Sequence, residues 1–190
     1  MENYLASGRR FIDRIRDRVD ILVLLVNSER KSYSILAQEF PEADLIYTSG
    51  STIMTRPKMR QTEEGPYLYS SGREGRYLNV TDLNIMDKGK PLVNVSYLQE
   101  NMKNTKRKLD RLGDIDPQKT LDELYVNQEN VMNVIAQGRA ILTRAAATLD
   151  NAVNTLHFQN VAMDKNIKDD VNMVAFVNES LSACNGLIKK

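Results

Sequence analysis

The sequence predicts an α/β fold: a partial parallel sheet with covering helices, into which an antiparallel helical hairpin is inserted. Three observations lead there. Helix-period and strand-period segments alternate through the first half of the chain. Ile21 to Val26 is an unbroken apolar run, the pattern of a strand buried on both faces. After Pro91 the apolar spacing settles into threes and fours, the rhythm of packed helices. The 190 residues include 42% apolar and 27% charged residues, which excludes a disordered or collagen-like chain.

In chain order, Tyr4, Phe11, Ile12, Ile15 and Val19 recur at helical spacing, and Asp20 ends that pattern before the apolar strand. Ser28 is placed to cap a second helix, with Tyr33, Leu36, Ala37 and Phe40 facing inward and Pro41 stopping it. Asp44-Leu45-Ile46-Tyr47 reads as a second strand running into the loop Thr48-Ser49-Gly50-Ser51-Thr52, and the short connections suit a parallel crossover. Arg56 to Gly65 is a polar loop. Tyr67-Leu68-Tyr69 and Tyr77 to Ile85 read as a β pair turned by Gly72 to Gly75, ending near Gly89-Lys90-Pro91.

Leu98, Met102, Thr105, Leu109 and Leu112 form the first arm of the hairpin. Gly113 to Pro117 is a turn, with Asp116 as N-cap and Pro117 at the first helical position. Leu121, Leu124, Gln128, Val131, Ile135, Gly138, Leu142, Ala145 and Leu149 carry a second arm of ~45–50 Å. A strand with Leu156, Phe158, Val161 and Met163 follows. Val174, Val177, Leu181, Cys184 and Leu187 then mark a final amphipathic helix, with Cys184 read as a small core residue. The divisions are therefore 1–93, an α/β part; 94–152, the hairpin; and 153–190, a strand and helix packing back on the α/β part.

Taken in order, these elements resemble one family. Val19 to Asn27 is similar to a strand of the calcineurin-like metallophosphoesterases of the 5'-nucleotidase type. Asp44 to Thr52 resembles that family's later strand and its Gly-Gly-His-Thr-His loop. Gly72-Arg73-Glu74-Gly75-Arg76-Tyr77-Leu78, leading into Val80-Thr81-Asp82-Leu83, resembles the Gly-x-x-Gly-(Arg/Lys)-Tyr-Leu-Gly segment before a final strand. Some bacterial members also carry a helical hairpin followed by a segment like Asn154-Thr155-Leu156-His157-Phe158. The likeness spans nearly the whole chain but corresponds to the C-terminal half of such a domain.

The resemblance implies a dinuclear metal centre that activates water and stabilises phosphoryl oxygens. The early ligand motifs, Asp-x-His, Gly-Asp-x-x-Asp and Gly-Asn-His-Glu/Asp, would lie upstream of Met1. The later histidine positions correspond to Asn27, Gly50 and Thr52. An amide oxygen, a hydrogen and a neutral hydroxyl replace imidazole there, so these are degenerate metal-ligand positions and no catalytic residue is assigned. No metal or other cofactor is expected unless another chain completes the site.

The residues themselves agree. There is a single histidine, His157, and a single cysteine, Cys184, which excludes multi-imidazole and Cys-based zinc sites within this chain. The loop Thr48 to Thr52 offers backbone N–H groups and hydroxyls to an anion, without the Gly-Lys-Ser/Thr ending of a P-loop. Lys103, Lys106, Arg107, Lys108 and Arg111 form a basic run, read as charge-paired with Asp116, Asp122, Glu123 and Glu129 across the turn. Neither Glu63-Glu64 nor Asp169-Asp170 is an acid/base pair, since adjacent side chains diverge. Asp169 is placed at the start of the final helix.

With 26 basic and 25 acidic residues, net +1, nothing marks a nucleic-acid binder. No run approaches the ~20 apolar residues of a membrane span. The N-terminus does not read as a signal peptide, so the chain is cytoplasmic as written, or periplasmic if it derives from an exported parent. The expected function is non-catalytic protein–protein association, with a companion chain or a second copy. Two alternatives are a split phosphohydrolase whose metal ligands come from another chain, and a helical-hairpin adaptor.

Overall fold

A computed structural model describes residues 4–27, 35–49, 53–61 and 65–188. The chain is mixed α/β, with one parallel sheet, one mixed sheet and six α-helices among the described residues. The first sheet joins β1 (Val23–Asn27), β2 (Leu45–Ser49) and β3 (Tyr67–Tyr69), all parallel. The second has the order β4 (Tyr77–Asn84), β6 (Asn154–Ala162), β5 (Leu92–Asn94), with β4 antiparallel and β5 parallel to β6.

The first sheet is covered on one face by helices. From α1 (Tyr4–Ile15) comes Ile12, and from α2 (Leu36–Glu39) comes Leu36; with Leu22, Phe40, Ala43, Ile46 and Leu68 they form one core cluster. A Cβ on Gly8 would sit 2.7 Å from the Phe40 ring, so glycine is what lets α1 lie against it. The helical periodicity of the N-terminus is real, but among the described side chains of the expected face only Ile12 is core; Phe11, Ile15 and Val19 are exposed. A short 3-10 turn, Arg16–Arg18, precedes the strand. The carboxylate of Asp44 accepts from Leu22 N at 2.7 Å and from Arg16 Nη1 at 3.2 Å, which ties that turn to the start of β2. The predicted cap Ser28 and Tyr33 lie outside the described residues.

β1 differs from its expectation. Leu24 and Val26 pack on the core cluster, but Val23 is exposed and Leu25 is 83% exposed. The apolar run is thus covered on one face only.

β3 and β4 do not form the predicted β pair. Gly72 and Gly75, at φ +78° and +60°, carry the chain out of the first sheet and into the second. Hydrophobic alternation specifies strands, yet the partner is decided by tertiary packing. The far side of β3 is closed instead by the side chain of Gln61, which donates to Leu68 O and accepts from Leu68 N, each at 3.1 Å.

The two sheets face each other through Leu45, Tyr69, Leu156 and Phe158, flanked by Tyr47, Tyr67 and Leu92. The other face of β6 carries exposed His157 and Gln159, the one-sided burial of a sheet packed on a single face.

Beyond β5, α3 (Val95–Gly113) begins at once, capped by Asn94. Ser96 Oγ accepts from Phe158 N at 2.8 Å and so continues the ladder where β5 stops. α5 (Glu129–Asp150) packs along α3, burying Ile135, Gly138 and Ala145, and a Cβ on Gly138 would meet Leu109 at 3.1 Å.

The second arm is shorter than predicted. Thr120, not Asp116, is the N-cap of α4 (Leu121–Leu124), in a capping box with Glu123. Asp116 instead accepts from Gln118 N in a turn. α5 has 22 residues, about 33 Å at 1.5 Å each.

α6 (Val171–Ile188) is exposed over all of its described side chains, Cys184 included, so this cysteine is not a core residue. Asp170, rather than Asp169, caps it through Met173 N at 2.9 Å.

Candidate functional site

Parallel strands present their C-terminal ends together, and in open α/β sheets ligands bind there. Here Asn27 ends β1 and lies in register with Ser49, which ends β2; Val26 pairs with Thr48. A cleft of about 420 Å³ opens at these ends, between the two sheets. Asn27, Thr48, Ser49 and Ser71 line one side of it and Tyr77, Leu78 and Asn79 of β4 the other, with Tyr47 and Tyr69 between them. Its volume falls in the ordinary range for small-molecule sites.

Tyrosines hold the two sides of this cleft in place. Tyr47 shares a hydroxyl–hydroxyl hydrogen bond with Thr81 of β4. The Tyr67 hydroxyl donates to Leu92 O of β5 at 2.7 Å. Tyr69 accepts from Asn94 Nδ2 at 3.2 Å and stacks on Phe158 with ring centroids 4.0 Å apart. Each phenol pins one strand of the first sheet to one strand of the second.

Burial, which disfavours a phenolate, pushes both Tyr67 and Tyr69 above the ordinary tyrosine value of 10.0; for Tyr69 the neighbouring Tyr67 and Tyr47 add to it. The sign of the pH effect follows. These phenols stay protonated in the folded chain while those of the unfolded chain ionise, so their contribution is complete below about pH 10 and falls as pH rises past it. Thermal melts should therefore show a loss of stability that begins above about pH 10 and is abolished in part by Tyr69→Phe.

The sequence-predicted site residues divide as follows. Asn27, Thr48 and Ser49 meet at the cleft, with Asn27 and Ser49 exposed and Thr48 buried; Thr48 Oγ1 donates to Ser49 O at 3.0 Å. Gly50, Ser51 and Thr52 lie outside the described residues, as do Glu63 and Glu64. His157 is elsewhere, on the solvent face of β6 across from Asp82.

The residues lining the cleft are neutral amides, hydroxyls and apolar groups. A dinuclear transition-metal centre needs imidazole and carboxylate donors to bind and to balance its charge. Asn27, Thr48 and Ser49 do not fit one. Among the described residues no three His, Cys, Asp or Glu side chains converge. Among the described residues lining the cleft there is no cation for an anion; Thr48 and Ser49, expected in a loop, are the last residues of β2.

Reading the sequence for ligand motifs misses Tyr69, Tyr77, Ser71 and Asn79. The period-two spacing of Tyr67/Tyr69 and Tyr77/Asn79 is the signal that places each pair on one strand face.

The basic run on α3 is solvent-facing, with Lys103 near Glu100 at 3.8 Å and Arg107 bonded to Asn104 at 3.1 Å. It is not paired across the turn as expected. Asp122 instead forms a two-pronged ion pair with Arg139 of α5, at 2.9 and 2.8 Å, and Asp116 pairs with Lys119. No helix among the described residues is long and apolar enough to cross a membrane.

Two facing sheets with a neutral, tyrosine-walled cleft at their strand ends make up this part of a mixed α/β chain. No protein-family model, curated protein or solved structure matches the chain.

Proposed function

We propose that this chain is a non-catalytic remnant of a 5'-nucleotidase-type metallophosphoesterase, equivalent to the C-terminal half of that domain, and that it acts by protein–protein association. The observation that carries the reading is a flank left open on both sheets. β2 lies over β4 through Tyr47 and Thr81, and β3 lies over β5 and β6 through Tyr67 and Tyr69. The edge strands β1 and β4 therefore fall on the same side. Lys88 and Asp20, ion-paired at 2.6 Å, bring the end of β4 to the start of β1 there.

That flank exposes Val23 and Leu25 of β1 and Leu83 of β4, while Leu78, at odd spacing from Leu83, is exposed on the other face of β4. Unpaired edges and contiguous apolar side chains are what a further strand-bearing partner covers. The opposite edge of the first sheet is closed by Gln61. The helical pair α3 and α5, read as an antiparallel hairpin, stands apart from this flank as an appendage.

Loss of the reaction is supported by the residues at the old ligand positions. Asn27 stands where a histidine is expected, and the single histidine of the chain lies on a different sheet face. Assayed with Mn²⁺ or Zn²⁺, the isolated chain should not hydrolyse nucleotides or phosphomonoesters; turnover abolished by a chelator would overturn the reading. Association is tested separately. A companion polypeptide carrying the other half of such a domain should bind the chain, and Leu25→Lys, at a side chain 83% exposed, should weaken that binding at least ten-fold without lowering the melting temperature.

A second reading draws on the cleft. Asn27 and Ser49 sit where the open flank meets the strand ends, so a companion carrying its own histidines and carboxylates would reach the same cavity. Metal-dependent hydrolysis by the mixed chains, and by neither alone, would favour that split enzyme. The adaptor reading predicts instead that removing 97–150 abolishes partner binding while the two sheets stay folded.

A further inference from the structure

On the reading of the β1/β4 flank as an association surface, we propose that the partner there brings an acidic helix together with its strand. The strand pairs with β1 and the helix lies beside α1.

Contacts fix how α1 is turned. Ile12 joins the core, and Gly8 lies against the Phe40 ring. Arg9 pairs with Glu39 at the end of α2, and Arg16, in the turn after α1, pairs with Asp44 just before β2. These residues mark the core side and the α2 side of the segment. At about 100° per residue, Phe11 and Ile15 fall on the side away from α2. Because α2 packs on β3, at the other end of the sheet, that side overhangs the free edge of β1. Phe11 and Ile15 are 54% and 36% exposed there.

The opposite face of the same edge is apolar too. Leu24 and Val26 turn toward the helices, so Val23 and Leu25 turn the other way, and both are exposed. A strand added to β1 thus meets apolar side chains above and below, and unpaired backbone groups at its side. Packed helices lie about 8–10 Å apart and paired strands about 4.8 Å. A helix beside α1 therefore stands over the first or second added strand, and the two arrive as one unit.

Charge identifies that helix. Arg14 and Arg18 stand three and seven residues beyond Phe11 and share its side. Unlike Arg9 and Arg16, neither has an ion pair among the described residues. Arg10 lies over the Phe11 ring, its guanidinium carbon 5.6 Å from the centroid. Asp13 and Asp17 fall on the far side of the helix from Phe11. Guanidinium groups bordering two apolar side chains fit carboxylates that border an apolar stripe. A second copy meeting β1 to β1 presents the same side of its own α1, where Ser7, Phe11, Arg14, Ile15 and Arg18 include no acid. Self-pairing is therefore the weaker arrangement.

That weaker pair supplies the probe. A copy carrying Ser7→Glu, Arg14→Glu and Arg18→Glu is a strand with an acidic helix, and it should keep the native melting temperature because none of the three side chains is buried. Native chain labelled at the exposed Cys184 should bind this acidic copy about ten-fold more tightly than it binds native chain. The preference should vanish at about 0.5 M NaCl, and Phe11→Ala or Leu25→Lys in the labelled chain should weaken the pair. Equal or undetectable binding of the two copies would overturn the inference. So would a pair that survives Leu25→Lys, since the arginines would then attract acid without the strand. Tighter binding to phosphatidylserine vesicles than to the acidic copy, lost with Phe11→Ala, would overturn it in favour of a membrane surface. The companion polypeptide separates this failure from that of the flank reading. If Leu25→Lys weakens its binding while Phe11→Ala, Arg14→Glu and Arg18→Glu do not, the flank stands and the acidic helix falls; if Leu25→Lys changes nothing, the flank itself falls.

Discussion

Replacing Asn154 with alanine is expected to lower stability by about 3 kcal/mol, a drop of roughly 6–12 °C in melting temperature. Asn154 is 3% exposed and spends every hydrogen-bonding group of its amide on one loop. Its Oδ1 accepts from Met86 N and Asp87 N at 2.9 and 3.0 Å, and its Nδ2 donates to Asp87 O and Lys90 O at 2.6 and 2.7 Å. This loop brings the chain from β4 to β5 while β6 passes between them. Truncation leaves four backbone groups to find water and frees both outer strands of the second sheet. Asn154→Asp keeps the two accepted bonds but puts a carboxylate against two carbonyl oxygens, so it should not rescue. A urea midpoint that falls with an unchanged slope would place the loss in the folded state. A change under about 0.5 kcal/mol would show that the loop holds itself.

Phe158→Ala should be comparably severe, at about 4 kcal/mol. Phe158 is 2% exposed and stacks on Tyr69 between the sheets, beside Leu45 and Leu156. Removing the ring leaves a void that close-packed strands cannot collapse into, and it deprives Tyr69 of its stacking surface. Because Tyr69 lines the cleft, the same substitution should loosen that cavity, read as faster exchange of the amide protons of β3 and increased accessibility of tyrosine to solvent. Phe176→Ala is the internal control. That ring is 63% exposed on α6, so its loss should leave the melting temperature of the sheets within about 1 °C.

The contrast between these two phenylalanines also marks how far the sequence could be read. Strands and helices carried by strong local patterns appear where the pattern puts them: a strand in the Ile21-to-Val26 run, the strand of Leu156 and Phe158, and the seam of Ile135, Gly138 and Ala145. Partner choice is a long-range property, and there the reading failed. β3 pairs with β2 rather than β4, because Gly72 and Gly75 permit a crossing between sheets as readily as a tight turn.

Helix starts were misplaced by a few residues where two capping side chains compete, Asp116 against Thr120 and Asp169 against Asp170. Burial was over-read on both apolar segments that turn out exposed, β1 and α6. Periodicity says that a face is apolar; it does not say whether this chain or another covers it. Of the site, Asn27 was legible as a strand-end residue, whereas Thr48 and Ser49, read as the start of a loop, are the last residues of β2. The tyrosines that wall the cleft were not legible, since their role depends on how two sheets superpose.

One small feature limits what the open flank can do. By engaging both backbone groups of Leu68, the amide of Gln61 turns the outer side of β3 into a dead end for strand addition. Growth of that sheet can proceed only from β1, so a second copy recruited there would have to meet it β1 to β1, by a two-fold rotation that uses up the only growing end. Edge-to-edge growth of the first sheet therefore terminates after one step, and closed pairs are the expected product of that edge.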